Sequence, residues 1–196
     1  MHNIPRIQYK NLAITGDTSS GSDTILNIAD TTNIQSGMFI RGTGIPSGAI
    51  IDVVNTNSVT LLGGVQATIT NTGVSIDVGF EILFDYPPKE ILGEILEPNN
   101  TSSESLSGIR QVSTNYIEGK RDLIFSFLSN SIYLLLKSFI ESHALYGKTF
   151  RYYEDKTSND YLDYEFNDFK INPKKITSKG ENVYVWEVPL KFRRVI

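Results

Sequence analysis

The chain has no cysteine, two histidines and one tryptophan in 196 residues. Without thiols there are no disulfide staples, thiolate zinc sites or cysteine nucleophiles. With only His2 and His143 as imidazoles, a transition-metal centre has little to be built from. No apolar run approaches the ~20 residues that a membrane-spanning helix requires. The opening MHNIPRIQYKN lacks the apolar core of a secretory signal, so the expectation is a soluble chain made in the cytoplasm, without membrane insertion. Positive charge is also short. Eighteen Lys and Arg face 22 Asp and Glu, a formal net charge of -4, which argues against a bulk electrostatic grip on nucleic acid or an anionic membrane.

What is present is unevenly distributed. Residues 13–76 hold Phe39 as their only aromatic and no lysine, and are otherwise rich in Thr, Gly, Ser and aliphatic residues. Both flanks are crowded with Tyr, Phe, Lys and Glu. Each core selects its own residue alphabet, so the seam predicts a small β module (13–76) spliced into a host formed by 1–12 and 77–196. Within the module, β-branched runs at 24–28, 38–42, 49–54, 58–61 and 73–78 predict short antiparallel strands. The separators Gly42-Thr43-Gly44, Pro46-Ser47-Gly48 and Asn55-Thr56-Asn57 supply turn chemistry. No lysine follows the glycines and no helix pattern opens after them, so turn scaffolding outweighs a phosphate loop. The Gly42-Thr43-Gly44-Ile45-Pro46-Ser47-Gly48 run, with its following Val-Thr-Leu strand, resembles a short module that recurs in phage structural and fibre proteins.

In the host, 6–11 and 81–86 alternate apolar and polar residues and predict a hairpin with the module at its tip, where insertions disturb little buried backbone. The polar stretch from Glu97 to Glu104 reads as a surface loop or arm. Segments 110–116 and 120–128 read as a strand pair turning at Glu118-Gly119. A helix over about 130–146 follows, capped by Asn130 or Ser131. Its apolar stripe is Ile132, Leu135, Leu136, Phe139, Ile140 and His143, and Gly147 ends it. Strands at 149–153, 160–171 and 183–192 complete an α+β, mostly β domain, a β-sandwich or partial barrel with one packed helix. In the last strand Tyr184, Trp186, Val188, Leu190 and Phe192 share one face.

This order of hairpin, aromatic strand, single helix, aromatic strand, long β excursion and closing strand is carried by Arg121-Asp122-Leu123-Ile124-Phe125-Ser126-Phe127, Leu136 to His143, Gly147-Lys148-Thr149-Phe150 and Trp186 to Arg194. It resembles the distal and minor tail proteins of long-tailed bacteriophages, in particular the minor tail protein M type, over about residues 80–196 and the first strand. The resemblance implies a fold related to the tail tube, a structural ring at the tail tip and no catalytic residue. The module is a departure from that pattern, free to decorate the ring or bind a neighbour.

Individual residues carry less. His143 lies on the apolar stripe and reads as a core imidazole. The acidic run Glu154, Asp155, Asp160, Asp163, Glu165 and Asp168, interleaved with Tyr152, Tyr153, Tyr161 and Tyr164, has the composition of a glycosidase cleft, but strand alternation places such charges on a solvated face. Ca²⁺ at 155–163 lacks the regular loop spacing. Lys170, Lys174, Lys175, Lys179, Lys191, Arg193 and Arg194 gather toward the C-terminus without a nucleic-acid motif. The expected subunit interface is therefore Lys191, Arg193 and Arg194 against Asp155, Asp160 and Asp163 of the next copy, with Glu97 and Glu104 on the arm. No catalytic, cofactor or metal residue is assigned. The expectation is a non-enzymatic virion protein, forming a homo-oligomeric ring with other tail proteins as partners. The alternatives are a neck or tail-completion protein, or a carbohydrate-binding adhesin module that stacks sugars on Tyr152, Tyr153, Tyr161, Tyr164 and Trp186.

Overall fold

The computed structural model describes residues 4–104, 110–166, 174–177 and 184–194; for 90–104, 110–118, 174–177 and 184 it describes the backbone. The fold is mostly β, about half of the chain in strands, with one helix and a curled antiparallel sheet that forms a partial barrel. Two compact units divide it: Gln8–Glu81, and Met1–Ile7 with Ile82–Ile196.

The smaller unit contains most of β1 (Arg6–Thr18), then β2 (Thr24–Ile25), β3 (Phe39–Gly42), β4 (Ile51–Val54), β5 (Val59–Leu61) and most of β6 (Asn71–Leu83). β6 lies between β3 and β1, while β2, β5 and β4 form a separate three-stranded sheet. Its core is aliphatic: Ile25, Ile28, Ile34, Met38, Ile40, Ile51, Val59, Leu61, Ile76 and Val78 are all buried. β-branched side chains suit such a core because they fill a pleated surface at little rotamer cost. The glycine run is turn scaffolding. Gly44 and Gly48 take φ of 82° and 81°, and the turns close through Ile45 N–H to Gly42 O at 3.1 Å and Ala49 N–H to Pro46 O at 3.3 Å. Gly79 answers a different need, since a Cβ there would sit 2.6 Å from Asn11 Oδ1 and 3.1 Å from Tyr9 O.

The boundaries expected at 12/13 and 76/77 fall inside continuous strands. β1 and β6 run through them because Leu12, Ile14, Val74 and Ile76 extend the alternation and pack on the small core. The division falls instead at Ile7/Gln8 and Glu81/Ile82.

The larger unit is built from β7 (Lys89–Glu104), β8 (Arg110–Leu128), α1 (Asn130–Ser142), β9 (Phe150–Tyr153), β10 (Leu162–Phe166), β11 (Lys174–Thr177) and β12 (Tyr184–Arg194). The strand order is β9-β10-β12-β8-β7, with β11 beside β12. Two expectations are corrected here. The polar stretch at 97–104 is strand and not loop, paired with β8 from Leu96↔Gly119 to Glu104↔Arg110. Glu118-Gly119 is not a turn, because β8 runs unbroken through it with β7 as partner. A polar sequence can hold a strand when a neighbour satisfies its backbone groups.

Further along β8 the inward alternation of Leu123, Phe125 and Phe127 fails at its last member. Phe127 has φ of 59° and is 59% exposed, and the ladder slips between Val188↔Phe125 and Trp186↔Leu128. This bulge hands the inward position to Leu128, at a backbone cost of about 1–3 kcal/mol.

Ser129 caps α1, its Oγ accepting from Ile132 N–H at 3.3 Å, one residue before the expected cap. Leu136, Phe139, Ile140 and His143 are buried, whereas Leu135 is half exposed. The sheet therefore covers a narrower face than the stripe predicted. Gly147, at φ of 65°, closes the turn after the helix. Phe139 packs on Phe150 and Phe166 at ring distances of 5.2 and 5.7 Å.

Two predictions follow from these cores. The fragment Gln8–Glu81, expressed alone, should unfold in one cooperative thermal transition, since it keeps its whole aliphatic core; a non-cooperative melt would contradict a separate core. In the intact chain, Phe139→Ala should cost about 3–5 kcal/mol in denaturant unfolding, and Glu141→Ala on the exposed face no more than about 0.5 kcal/mol.

Candidate functional site

The acidic and aromatic residues singled out in the sequence converge on one part of the larger unit, the β9–β10 connection. Its turn is fixed locally. Asp155 Oδ1 accepts from Thr157 N–H at 2.8 Å and Thr157 Oγ1 at 2.7 Å, and Asp160 N–H donates to Ser158 Oγ at 3.0 Å. The N-terminal segment ties it down from far away in sequence: Lys156 N–H donates to Ile4 O at 2.7 Å, and the Arg6 guanidinium donates to Ser158 O at 2.8 Å while lying 4.0 Å over the Tyr153 ring. A groove of about 420 Å³ opens on this turn, lined by Tyr152, Glu154, Asp155, Ser158, Asp160, Tyr161 and Leu162.

Two acids of the groove have cationic neighbours. Arg121 reaches from β8 to Glu154 at 2.8 Å. The Thr157 hydroxyl and N–H hold the Asp155 carboxyl below its usual range, helped by the charges of Lys156 and Arg6. Among the described residues no three His, Asp or Glu side chains converge to hold a metal ion, and Asp155 is already committed to its turn.

The tyrosine platform expected for sugar stacking is corrected by burial. Tyr152, Tyr153 and Tyr164 are 3%, 4% and 0% exposed and belong to the core. Trp186 is partly buried, stacked flat on Tyr133 with ring centres 3.9 Å apart, its indole N–H directed to Asn130 Oδ1 at 3.4 Å. Tyr161 alone of the five is exposed, at 42%. His143 is buried, its Nε2 2.8 Å from Thr149 O and its ring against Phe139.

Two of the basic residues expected at a subunit interface, Lys191 and Arg193, have acidic partners within the chain, and these are not the acids expected for them. β12 lies between β10 and β8, so Arg193 stands opposite Glu165 and Lys191 opposite Asp122. Arg193 Nε donates to Glu165 at 2.8 Å, and its terminal nitrogen contacts the same oxygen. Lys191 Nζ is 3.8 Å from Asp122. Arg194 is in register with Tyr164, and Asp163 with Arg151. Glu97 and Glu104 are placed by backbone only, paired with Glu118 and Arg110. Asp168, Lys170 and Lys179 lie outside the described residues. The adjacency of β10 and β12 was not readable from local pattern; only the opposite charges of two aromatic strands hinted at it. Arg6, Arg121 and Ser158 were missed for the same reason, since their roles depend on partners up to 152 residues away.

Among the described residues no helix is long and apolar enough to cross a membrane. Comparison of the chain with protein-family models, with curated proteins and with solved structures gave no match.

The Arg193–Glu165 pair yields a test of where these charges act. Arg193→Glu should destabilise the isolated subunit by about 1 kcal/mol through like-charge contact with Glu165. The swap Arg193→Glu with Glu165→Arg should recover most of that loss in denaturant melts. Equal destabilisation of single and double variants would contradict the pairing.

Proposed function

We propose that this chain is a non-enzymatic structural subunit of a long-tailed bacteriophage, assembling as a ring at the distal end of the tail with other tail proteins. The observation that carries the reading is the outer part of the β7–β8 hairpin. β8 pairs with β12 only from Lys120 to Leu128, whereas β7 and β8 stay paired with each other out to Glu104↔Arg110. Beyond Leu96↔Gly119 the described residues supply no third strand. At about 3.3 Å per residue, this two-stranded ribbon reaches roughly 30 Å. Its sequence from Glu97 to Glu104 is Glu-Pro-Asn-Asn-Thr-Ser-Ser-Glu, with no large apolar residue.

A lone two-stranded ribbon is at best marginally stable in water. It gains its order when a partner covers it. A long arm on a small β domain suits repeated contact between identical neighbours, where every copy both gives and receives an arm. The resemblance of strand and helix order to distal tail proteins supports the same assignment. The in-chain pairing of Lys191 and Arg193 moves the expected contact surface away from the C-terminal strand and onto this ribbon.

Replacing residues 96–119 by a short turn should leave a subunit with native circular dichroism and a melting temperature within a few degrees of the parent, yet absent from particles assembled with the full set of phage proteins. Incorporation of the shortened chain at normal copy number would overturn the assignment.

A further inference from the structure

The outer face of α1 is apolar where a surface helix is ordinarily charged. Leu134, Leu135, Leu145 and Tyr146, on the helix and on the turn Ala144–Tyr146 that continues it, are between 45% and 72% exposed. Four large apolar side chains on so short a stretch form the kind of exposed patch that marks an interaction site. Ser138 and Ser142, one turn apart and both exposed, run down the middle of it. From Asn130 to Gly147 the only Lys, Arg, Asp or Glu are Lys137 and Glu141, which lie on one flank of the face, 3.7 Å apart.

The order of these residues about the middle of the helix selects the occupant. In a twofold contact, residue i of one copy meets residue j of the other, and j meets i. When one copy of α1 is turned end for end against another, with the crossing at residues 139 and 140, Leu134 falls opposite Leu145, Ser138 opposite Ser142 and Lys137 opposite Glu141. Large apolar residues then meet at both ends. The serines at the centre let the helix axes approach to about 8–10 Å, and each lysine gains a glutamate across the contact. A partner of another sequence would have to supply this alternation of apolar, small and oppositely charged residues, whereas a second copy already carries it. The face measures roughly 25 Å by 10 Å. Two such faces bury less than the ~1,000 Å² that a stable interface needs, so the pair forms reversibly.

We propose that the outer face of α1 is a self-association surface, on which two copies of this chain pair antiparallel about Ser138 and Ser142. The pairing does not rest on the ring proposed above, which uses the β7–β8 ribbon.

The absence of cysteine makes the test direct. Full chains carrying Ser138→Cys are mixed with equal amounts of ¹⁵N-labelled chains carrying Ser142→Cys and oxidised by air. Mass spectrometry of the disulfide-linked dimers should show mixed pairs above the half expected from random pairing. The mixture should cross-link about tenfold faster than chains with Thr56→Cys, an exposed position in the smaller unit, because pairing raises the local thiol concentration. Adding Leu135→Glu to both chains should abolish that excess. Adding Lys137→Glu should lower it through repulsion from Glu141 of the other copy, and Lys137→Glu with Glu141→Lys should restore it. All these positions are exposed, and circular dichroism matching the parent would show that the variants fold. The proposal is overturned if cross-linking is no faster than for Thr56→Cys, if like pairs outrun mixed ones, if the excess survives Leu135→Glu, or if single and double charge variants behave alike. None of these results bears on whether the chain enters particles.

Discussion

The larger unit depends on the packing of one side chain, Phe192. Its ring lies 5.0 Å from Phe150, 5.7 Å from Tyr152, 5.8 Å from Tyr164 and 5.6 Å from Phe166, so one residue of β12 joins β9 and β10. Aromatic pairs in tilted and edge-on geometries add to their burial energy, and Phe139 extends the cluster into α1. Once this cluster forms, β10 and β12 are neighbours, and Glu165 and Arg193 must face each other. The tyrosines that alternate with the acids turn inward, and the acids and Tyr161 are left at the surface around the groove.

The smaller unit solves its packing differently. Its core cluster is Ile, Val, Leu, Ala and Met, and the strands between β1 and β6 are short enough that glycine turns set the path. Glu81 anchors its end of β6 by accepting from Arg41 at 2.8 Å and from the buried Gln8 at 2.7 Å. Two cores with different alphabets on one chain explain the composition seam. The seam does not coincide with the division between units, because β1 and β6 carry apolar alternation through it.

Where a feature follows from local backbone chemistry, the sequence displays it. The short strands of the smaller unit, the positive-φ glycines at 44 and 48, the helix and its end at Gly147, and the shared face of Val188, Leu190 and Phe192 were all legible in that way. What was not legible depends on partners. Polar residues 97–104 form a strand because β8 is there to pair with them, and Glu118-Gly119 stays extended for the same reason. The bulge that expels Phe127 reflects ladder register against β12, which no local alternation encodes. Of the candidate site, the acidic and aromatic composition was visible, but Arg6, which braces the turn, and Arg121, which pairs with Glu154, are far away in sequence.

The same partner dependence defines the β7–β8 ribbon, whose outer half meets no third strand among the described residues and whose β7 sequence at 97–104 is polar. The account rests on that ribbon being completed by a neighbour. Hydrogen exchange followed by mass spectrometry, on the isolated chain and on purified particles, measures this directly. Amides of 97–104 and 110–118 should exchange within seconds in the isolated chain, while β12 remains protected, and should become protected by at least a hundredfold in particles. Equal protection of the ribbon in both states, or its full exchange within particles, would contradict the account.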